Sequence, residues 1–450
     1  MITKNFFISR RSFLKRCSLV AAATGLPAWL IERDFDLAAA VPASDVSPND
    51  RIGIALVGCG GQGRADASNA RQKGAEILAV CDVDDNHAAA AAQQYTTNGK
   101  VPDKYNDLRK LMDRPDIHAI INGTPDHWHT LVNIAAANAH KDVYGEKPLT
   151  LTIDEGHHVI RAVRKNNIVF QTGTQQRSSG SFRHACELVR NERIGKLKQI
   201  TVWLPAGLRD GPFSSKPVPD GLNWDFWQGQ TNAVDYVPQR CHQTFRYWYD
   251  YSGGTMTDWG AHHNDIARWA LGLDGPVSIE GAPSIQPIPG GYTAFSDYEV
   301  NFTYANGVRQ TVKTTKDDTI YGGVVNENGQ HNGIKFEGAN GWIWVNRSEI
   351  QASDDALLST PLPDGAERLQ VSNDHMQNFF DCVRSRESPV ADVETGHRSA
   401  ALCHLGVIAL RLGRKLDWDP VREKFTGEGA HQDNKWLVRQ MRKPFDYHFA

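Results

Sequence analysis

The sequence has little net charge, few cysteines and no long apolar run. It carries 49 lysines and arginines against 52 acidic residues, a formal charge of −3, and the two signs are scattered along the chain. This pattern argues against a nucleic-acid-binding surface. The seven cysteines follow no zinc-ligand spacing, so we expect no metal site and mostly free, buried thiols. The apolar segment 17–30 is too short to span a bilayer, so we expect no membrane span.

The N-terminal segment differs in kind from the rest of the chain. Residues 9–15 read Ser-Arg-Arg-Ser-Phe-Leu-Lys, and small residues follow the apolar stretch at 38–40 and at Ala43. This segment resembles a twin-arginine export signal. We therefore expect residues 1–43 to be a signal and linker, read by the twin-arginine export machinery. The mature protein would be periplasmic or secreted.

A glycine motif organises the region that follows. The apolar run 52–57 predicts a buried parallel strand, and the next six residues spell G-x-G-x-x-G ahead of a helical segment. The first glycine would allow a tight turn, the second a close approach to a pyrophosphate, and the third close helix packing. The helix N-terminus would then bind the diphosphate. The residues that we expect around it are Gly58, Gly60, Gly61, Gln62 and Gly63.

An acidic residue follows the second predicted strand. The run 76–81 ends at Asp82, which lies 24 positions after Gly58. A carboxylate there can hydrogen-bond a ribose 2′-hydroxyl and repel a 2′-phosphate. We therefore expect NAD rather than NADP as the cofactor, and Asp84 could share the role of Asp82.

Strand and helix patterns alternate as far as about residue 172 and then change. Such βα units indicate a parallel doubly wound sheet over residues 51–172. In residues 173–450, Asn306-Gly307 and Asn340-Gly341 each separate two apolar runs, which is a hairpin signal. The sequence therefore predicts an α/β protein: an N-terminal Rossmann dinucleotide-binding domain plus a C-terminal α/β domain with a large, mostly antiparallel open sheet.

Two loops are expected at the cofactor edge of the first sheet, because ligands bind at the carboxyl ends of parallel strands. They are residues 123–129 and 145–148. Further on, Asp258, His262 and Asp265 recur at helical spacing and would share one face. Asp258 could then orient His262 as a general base, while Lys147 stabilises a developing alkoxide. A capped, solvated helix face would have the same spacing.

Several residues are candidate substrate contacts. The segment 224–251 carries nine aromatic residues, whose rings could stack on a sugar or simply pack in a core. Polar residues also follow the last strand of the first domain, where ordinary loop residues are the alternative. The candidates are Gln175, Gln176, Arg177, Trp227 and His263.

Together these motifs resemble those of the glucose-fructose oxidoreductase, inositol dehydrogenase and MocA family, over about residues 51–415. They are the glycine motif, Thr124-Pro125 with His129, Glu146-Lys147-Pro148, and Asp258-Trp-Gly-Ala-His262. The resemblance implies catalytic roles for Lys147, Asp258 and His262, and a homodimer or homotetramer. It also implies a set of residues around the dinucleotide: Asn122, Thr124, Pro125, His129, Glu146 and Lys147.

Three functions remain open. The first is NAD-dependent oxidation of a sugar, sugar derivative or cyclic polyol by hydride transfer to a tightly bound cofactor. The second is an NAD-dependent glycoside-cleaving enzyme that oxidises its sugar transiently, which suits an exported protein without a cofactor supply. The third is a non-catalytic binding protein that retains the nucleotide.

Overall fold

Two sheets form the framework of the part of the chain that the structure describes. This computed structural model describes residues 51–315, 320–321, 324–325 and 332–449. The twin-arginine motif therefore lies outside the described residues.

The first sheet is the parallel sheet that the sequence predicts. Its six strands are all parallel, in the order β3-β2-β1-β4-β5-β6. The strands are β1 Gly53–Val57, β2 Glu76–Cys81, β3 Asp103–Tyr105, β4 Ala119–Asn122, β5 Asp142–Gly145 and β6 Phe170–Thr172. The helices between them are α1 Gly61–Gln72, α2 Asp85–Gln94, α3 Arg109–Met112, α4 Asp126–Asn138 and α5 Ile153–Asn166. Every residue of β1 is buried, as a continuous apolar run in a parallel sheet requires.

The second sheet has nine strands in the order β15-β14-β13-β7-β10-β9-β8-β16-β17. Only β7 and β10 pair in parallel; the other pairs are antiparallel. The strands are β7 Leu197–Pro205, β8 Ser278–Pro283, β9 Tyr298–Thr303, β10 Arg309–Thr315, β13 Gly333–Gly338, β14 Trp342–Val345, β15 Ile350–Ala352, β16 Leu416–Asp419 and β17 Lys424–Thr426. A separate small ribbon pairs β11 Ile320–Tyr321 with β12 Val324–Val325.

Both Asn-Gly hairpins are present in this sheet. Asn306-Gly307 joins β9 to β10, and Asn340-Gly341 joins β13 to β14. Gly307 has a φ of +85°, which the turn requires and which a residue with a side chain rarely adopts. The predicted class, a Rossmann domain with a mostly antiparallel C-terminal sheet, is therefore confirmed.

Helices cover one face of the large sheet. Along β9 the residues Tyr298, Val300 and Phe302 are buried while those between them are exposed, the alternation of a sheet with one core face. Three helices pack there or against one another: α6 Gly180–Arg190, α8 Trp259–Leu271 and α11 Val393–Leu412. The remaining helices are α7 Trp224–Gln228, α9 Asp355–Ser359, α10 His375–Ser385 and α12 Ala430–Asp433.

Helix α10 returns to the first domain. Its Met376, Phe379 and Phe380 pack in one cluster with Ile54 and Leu56 of β1. A segment that sequence reasoning assigned wholly to the second domain therefore stabilises the Rossmann core.

The described part of the chain also bears on two expectations from composition. Its six cysteines are all free and buried, as expected. None of its helices combines the length and apolar character that crossing a membrane needs.

Candidate active site

The glycine turn between β1 and α1 is tightly packed. Gly58 has a φ of +86°, and a Cβ there would lie 2.5 Å from the amide nitrogen of Thr124. A Cβ on Gly63 would lie 2.1 Å from the carbonyl oxygen of Gly58. These two glycines allow β1, α1 and the loop after β4 to meet.

The space in front of this turn fits a dinucleotide. A Cβ added to Gly60 or Gly61 meets no atom within 4 Å, so the backbone faces an open groove. No side chain of the described residues caps the N-terminus of α1, so its first N–H groups are available to a diphosphate. The groove has a volume of about 1330 Å³ and runs between the two domains, with Gln62 also in its lining.

Asp82 is held rigidly at the end of β2. Its Oδ2 accepts a hydrogen bond from the Cys59 amide at 2.7 Å, and its Oδ1 accepts one from the Asp84 amide at 3.0 Å. The carboxylate lines the groove. It therefore lies where the ribose 2′-hydroxyl of the adenosine would bind.

The C-terminal domain closes over this end of the groove. The Asp85 amide donates to the carbonyl of Gly221 at 2.9 Å, and the Asn223 amide donates to the carbonyl of Val83 at 2.9 Å. The ring centroids of His87 and His242 are 4.4 Å apart, and His242 Nε2 is 3.2 Å from Asp84 Oδ2. The hydrogen bond to Asp82 raises the pKa of His87. Residues 221–247 thus form a strap across the adenosine end, tied to the β2–α2 loop by backbone and side-chain contacts.

Hydrogen bonds on the side away from the groove hold the loop after β4 in place. Asn122 Oδ1 accepts from Thr124 Oγ1 at 2.6 Å, and Asn122 Nδ2 donates to Asn133 Oδ1 at 2.8 Å. The two ring nitrogens of His129 contact the carbonyl oxygens of Thr124 and Pro148, at 2.8 and 2.6 Å. Thr124, Pro125 and His129 line the groove, whereas Asn122 lies behind it and supports the loop.

Lys147 and Asp258 form an ion pair at the inner end of the groove. Lys147 Nζ is 2.5 Å from Asp258 Oδ1, and Arg246 Nε is 3.6 Å from the same oxygen. Burial alone would lower the pKa of Lys147, but the carboxylates of Asp258 and Glu146 outweigh it and raise the pKa. Burial conversely favours the neutral form of Asp258, yet Lys147 and Arg246 lower its pKa. The pair is therefore an ammonium and a carboxylate at neutral pH.

This pairing corrects one expectation from sequence. Asp258 was predicted to orient His262 from one helical turn away, but it is the residue before α8 and its carboxylate is bound to Lys147. His262 is buried, and its Nδ1 has no hydrogen-bond partner among the described residues. Burial and the nearby Lys147 charge hold the pKa of His262 well below its usual range. The imidazole is therefore neutral at neutral pH.

Asp265, unlike Asp258 and His262, does not line the groove. Its carboxylate binds Arg177, with Nε to Oδ2 at 2.6 Å and Nη2 to Oδ1 at 2.9 Å, and it also accepts from Ser399 Oγ at 2.6 Å. Arg177 and His263, predicted as substrate contacts, are both buried outside the groove lining; His263 Nε2 lies 2.8 Å from Asn332 Oδ1. The reason is that residues one position apart on a helix or tight turn face different sides, so only some members of such a run reach the cavity.

The other predicted contacts line the groove. Gln175 Nε2 donates to Glu146 Oε1 at 2.9 Å, which positions both residues near Lys147. Gln176 and Trp227 are also in the lining, although the Trp227 ring stacks mainly on Trp224 with centroids 4.9 Å apart.

Four charged residues in the lining are not among the predicted site residues: Asp66, Asp126, Arg246 and Arg347. Asp66 is buried in α1, and its Oδ2 has no hydrogen-bond partner among the described residues. Burial and the neighbouring Glu146 raise its pKa well above the usual range. The sequence does contain a signal that could have identified Asp66. It falls on the same helical face as the buried Gly63, Ala67 and Ala70, and an acid on the core face of a helix is unusual. The two arginines lie in segments without a motif.

Two clusters of the described chain have side-chain atoms close enough to share a metal ion. They are Asp84 with His87 and His242, and His157 with His397 and Glu423. Within each cluster two members contact each other directly: His242 Nε2 lies 3.2 Å from Asp84 Oδ2, and Glu423 Oε2 lies 2.7 Å from His397 Nε2. The expectation of no metal site stays a prediction.

The geometry defines a class of protein: a dinucleotide-binding enzyme with an ammonium–carboxylate pair and a neutral histidine at the inner end of its groove. Comparison with known proteins leads to the same class. Residues 52–174 match the model of an oxidoreductase family's NAD-binding Rossmann fold, and residues 207–447 match the model of its C-terminal alpha/beta domain. The chain belongs to the glucose-fructose oxidoreductase, inositol dehydrogenase and MocA family of oxidoreductases. It is an oxidoreductase with an NAD-binding Rossmann domain.

Individual relatives act on sugars and polyols. The chain is 26% identical to levoglucosan dehydrogenase of Pseudarthrobacter phenanthrenivorans over 304 residues, which cover 62% of this chain and 68% of the relative. It is 26% identical to myo-inositol 2-dehydrogenase of Thermotoga maritima over 238 residues, 51% of this chain and 59% of the relative. Aldose-aldose oxidoreductase of Caulobacter crescentus shares the fold, with a TM-score of 0.61 and 18% identity over 82% of this chain and 99% of that structure.

Proposed function

We propose that this protein oxidises a sugar, sugar derivative or cyclic polyol, with NAD held tightly in the groove. The observation that carries the proposal is the Lys147–Asp258 ion pair, with Nζ and Oδ1 2.5 Å apart, in the lining of the same cavity as His262. The relatives that act on levoglucosan and inositol support a polyhydroxylated substrate.

The chemistry divides among these side chains. NAD, when bound, supplies the acceptor for a hydride from the carbon that bears the alcohol. Lys147, protonated because Asp258 stabilises its charge, donates a hydrogen bond to the alcohol oxygen and stabilises negative charge there. His262, neutral because burial disfavours its cation, takes the hydroxyl proton. Asp258 holds Lys147 in place, which makes it the positioning partner of Lys147.

Variants of the two proposed catalytic residues test this division of roles. Lys147→Met and His262→Gln should each lower kcat by about two to four orders of magnitude, the size of an acid–base or electrostatic contribution. Both should retain the bound nucleotide, because the glycine turn and Asp82 are untouched. Lys165→Met, an exposed lysine on α5, is the matched control and should keep full turnover. Turnover in Lys147→Met equal to that of the control would exclude this role for Lys147.

We also propose that the protein is exported through the twin-arginine pathway with its cofactor already bound. Residues 9–15 carry the motif that supports this idea. The strap over the adenosine end supports a slowly exchanging nucleotide, because two backbone hydrogen bonds at 2.9 Å join it to the β2–α2 loop. The enzyme would regenerate its cofactor within each cycle, since no NAD pool is available outside the cytoplasm.

The resident cofactor is tested by purifying the mature protein without added nucleotide, denaturing it, and identifying the released molecules by mass spectrometry. Near-stoichiometric NAD or NADH is the expected result. Rapid loss of nucleotide on dialysis of the native protein would contradict tight binding. Incubation with sugars and glycosides separates net oxidation from transient oxidation, because release of an aglycone without accumulation of NADH marks the glycoside-cleaving alternative.

A homodimer or homotetramer is the third part of the proposal. The face of the large sheet opposite α6, α8 and α11 carries exposed residues such as Glu299 and Asn301 on β9. A second copy could cover this face. Light scattering of the purified protein measures the assembly directly, and a monomer at micromolar concentration would contradict it.

A further inference from the structure

Three basic side chains border the inner end of the groove, together with several carboxylates. Lys147, Arg246 and Arg347 all line it. Asp258 is the carboxylate that faces them most directly, with its Oδ1 2.5 Å from Lys147 and 3.6 Å from Arg246. One carboxylate thus serves two cations. Glu146 and Asp126 also line the groove, but each has a neutral hydrogen-bond partner: Gln175 Nε2 donates to Glu146 Oε1 at 2.9 Å, and Ser252 Oγ donates to Asp126 Oδ2 at 2.5 Å.

Arg347 has no carboxylate partner in the described part of the chain. It follows β14, and its guanidinium carbon lies 4.8 Å from the centroid of the Trp259 ring, three residues before His262. The side chain is exposed to the groove that it lines. Its Nε donates to the Gln176 side-chain amide at 3.2 Å, and stacking on an indole leaves the two Nη groups free to donate to a ligand.

Arg246 lies on the strap and also packs against an aromatic ring, while its Nη1 donates to the Gln243 carbonyl at 3.0 Å. It lies in a short 3₁₀ segment, residues 242–247, with its guanidinium carbon 4.8 Å from the centroid of the Phe245 ring. Its side chain is 29% exposed, so it is accessible from the cavity. Two stacked guanidinium groups therefore border the same end of the groove as Lys147 and His262.

Resting on the proposed function, we infer that the substrate is a sugar or polyol derivative that carries a carboxylate, bound by Arg347 and Arg246. A planar guanidinium edge matches a carboxylate with two parallel hydrogen bonds. The anion would pair with Arg347, which forms no ion pair with a carboxylate of the described residues. It also orients the molecule, because the carboxylate can bind only at the arginine side while a ring hydroxyl faces Lys147 and His262.

Binding measurements on the NAD-loaded protein test this inference without relying on turnover. D-glucuronate, D-glucose and D-glucose 6-phosphate are titrated by calorimetry. We expect glucuronate to bind about ten- to a hundredfold more tightly than glucose, the gain from a charge-assisted hydrogen-bond pair. Equal affinities for glucuronate and glucose would overturn the inference, and tighter binding of the phosphate ester would overturn the assignment to a carboxylate.

Variants of Arg347 test whether the carboxylate binds at this side chain. Arg347→Gln should remove the preference for glucuronate while leaving the affinity for glucose unchanged, and Arg347→Lys should retain part of the preference. Arg309→Gln, an exposed arginine on β10 outside the groove, is the matched control and should retain all of it. A preference that persists in Arg347→Gln would overturn the inference.

A failure of the carboxylate inference can be distinguished from a failure of the proposed oxidation. Oxidation of neutral sugars alone, followed by nicotinamide absorbance, would support the oxidoreductase and overturn the carboxylate inference. Arg347-dependent binding of glucuronate with no nicotinamide reduction by any ligand tested would support the anion site and contradict the proposed oxidation.

Discussion

Replacing Arg177 with methionine removes one partner of a buried ion pair and leaves the other partner charged. The Arg177 side chain is 6% exposed and Asp265 is fully buried, and the two are joined by hydrogen bonds of 2.6 and 2.9 Å. Breaking such a pair costs about 3–5 kcal/mol, because the remaining carboxylate keeps its desolvation cost with only the Ser399 hydroxyl left as a partner. At about 2–4 °C per kcal/mol, Tm should fall by on the order of 6–20 °C.

A surface pair of the same chemistry provides the control. Arg109 binds Asp107 through Nε and Nη2 at 2.9 and 2.6 Å, and its guanidinium lies over an aromatic ring at 4.7 Å, as that of Arg177 does at 4.8 Å. These side chains are 48% and 27% exposed. Arg109→Met should therefore cost only about 0–1 kcal/mol. The pairs differ chiefly in burial.

The assay is differential scanning fluorimetry of the wild type and both variants, followed by kcat and KM well below each Tm. A structural role for Arg177 predicts a large fall in Tm with an unchanged KM. A second variant, Arg177→Met with Asp265→Asn, should recover part of the loss because the uncompensated charge is gone. A Tm equal to that of Arg109→Met together with a raised KM would refute the reasoning and restore Arg177 as a substrate contact.

Three further predictions concern the cofactor and the proton acceptor. Gly63→Ala should destabilise the protein by about 1–3 kcal/mol through the 2.1 Å contact with the Gly58 carbonyl, whereas Gly61→Ala, whose Cβ meets no atom, should leave the Tm of the nucleotide-free protein unchanged. Asp82→Asn should reduce the preference for NAD over NADP by at least about tenfold, since a like-charge contact costs more than 1 kcal/mol; unchanged Kd values for both nucleotides would assign discrimination elsewhere. The pKa of His262 is lowered, so kcat/KM should not fall as pH drops from 8 to about 6.5. The acid limb of the pH–rate profile should lie below that pH. An inflection at about 6.5 that disappears in His262→Gln would show that the histidine titrates normally.

Long-range packing explains where the sequence-based assignment of roles needed correction. Asp258 and His262 are four residues apart, and helical spacing alone suggested that they interact. The carboxylate instead binds Lys147, which is 111 residues away in the chain, and Arg177 binds Asp265 across 88 residues. Charged side chains pair with the nearest opposite charge in space, and that neighbour is set by how the two domains pack.

The sequence by itself determined the elements whose geometry depends on neighbouring residues. The glycine turn, the acidic residue at the tip of β2 and the two Asn-Gly hairpins follow from local backbone conformation and short-range hydrogen bonding. Only the tertiary structure decided which charges pair, that α10 packs on the Rossmann core, and that Arg246 and Arg347 reach one cavity. The physical reason is that a side chain's partners, burial and pKa depend on segments that are distant in the chain and meet only after folding.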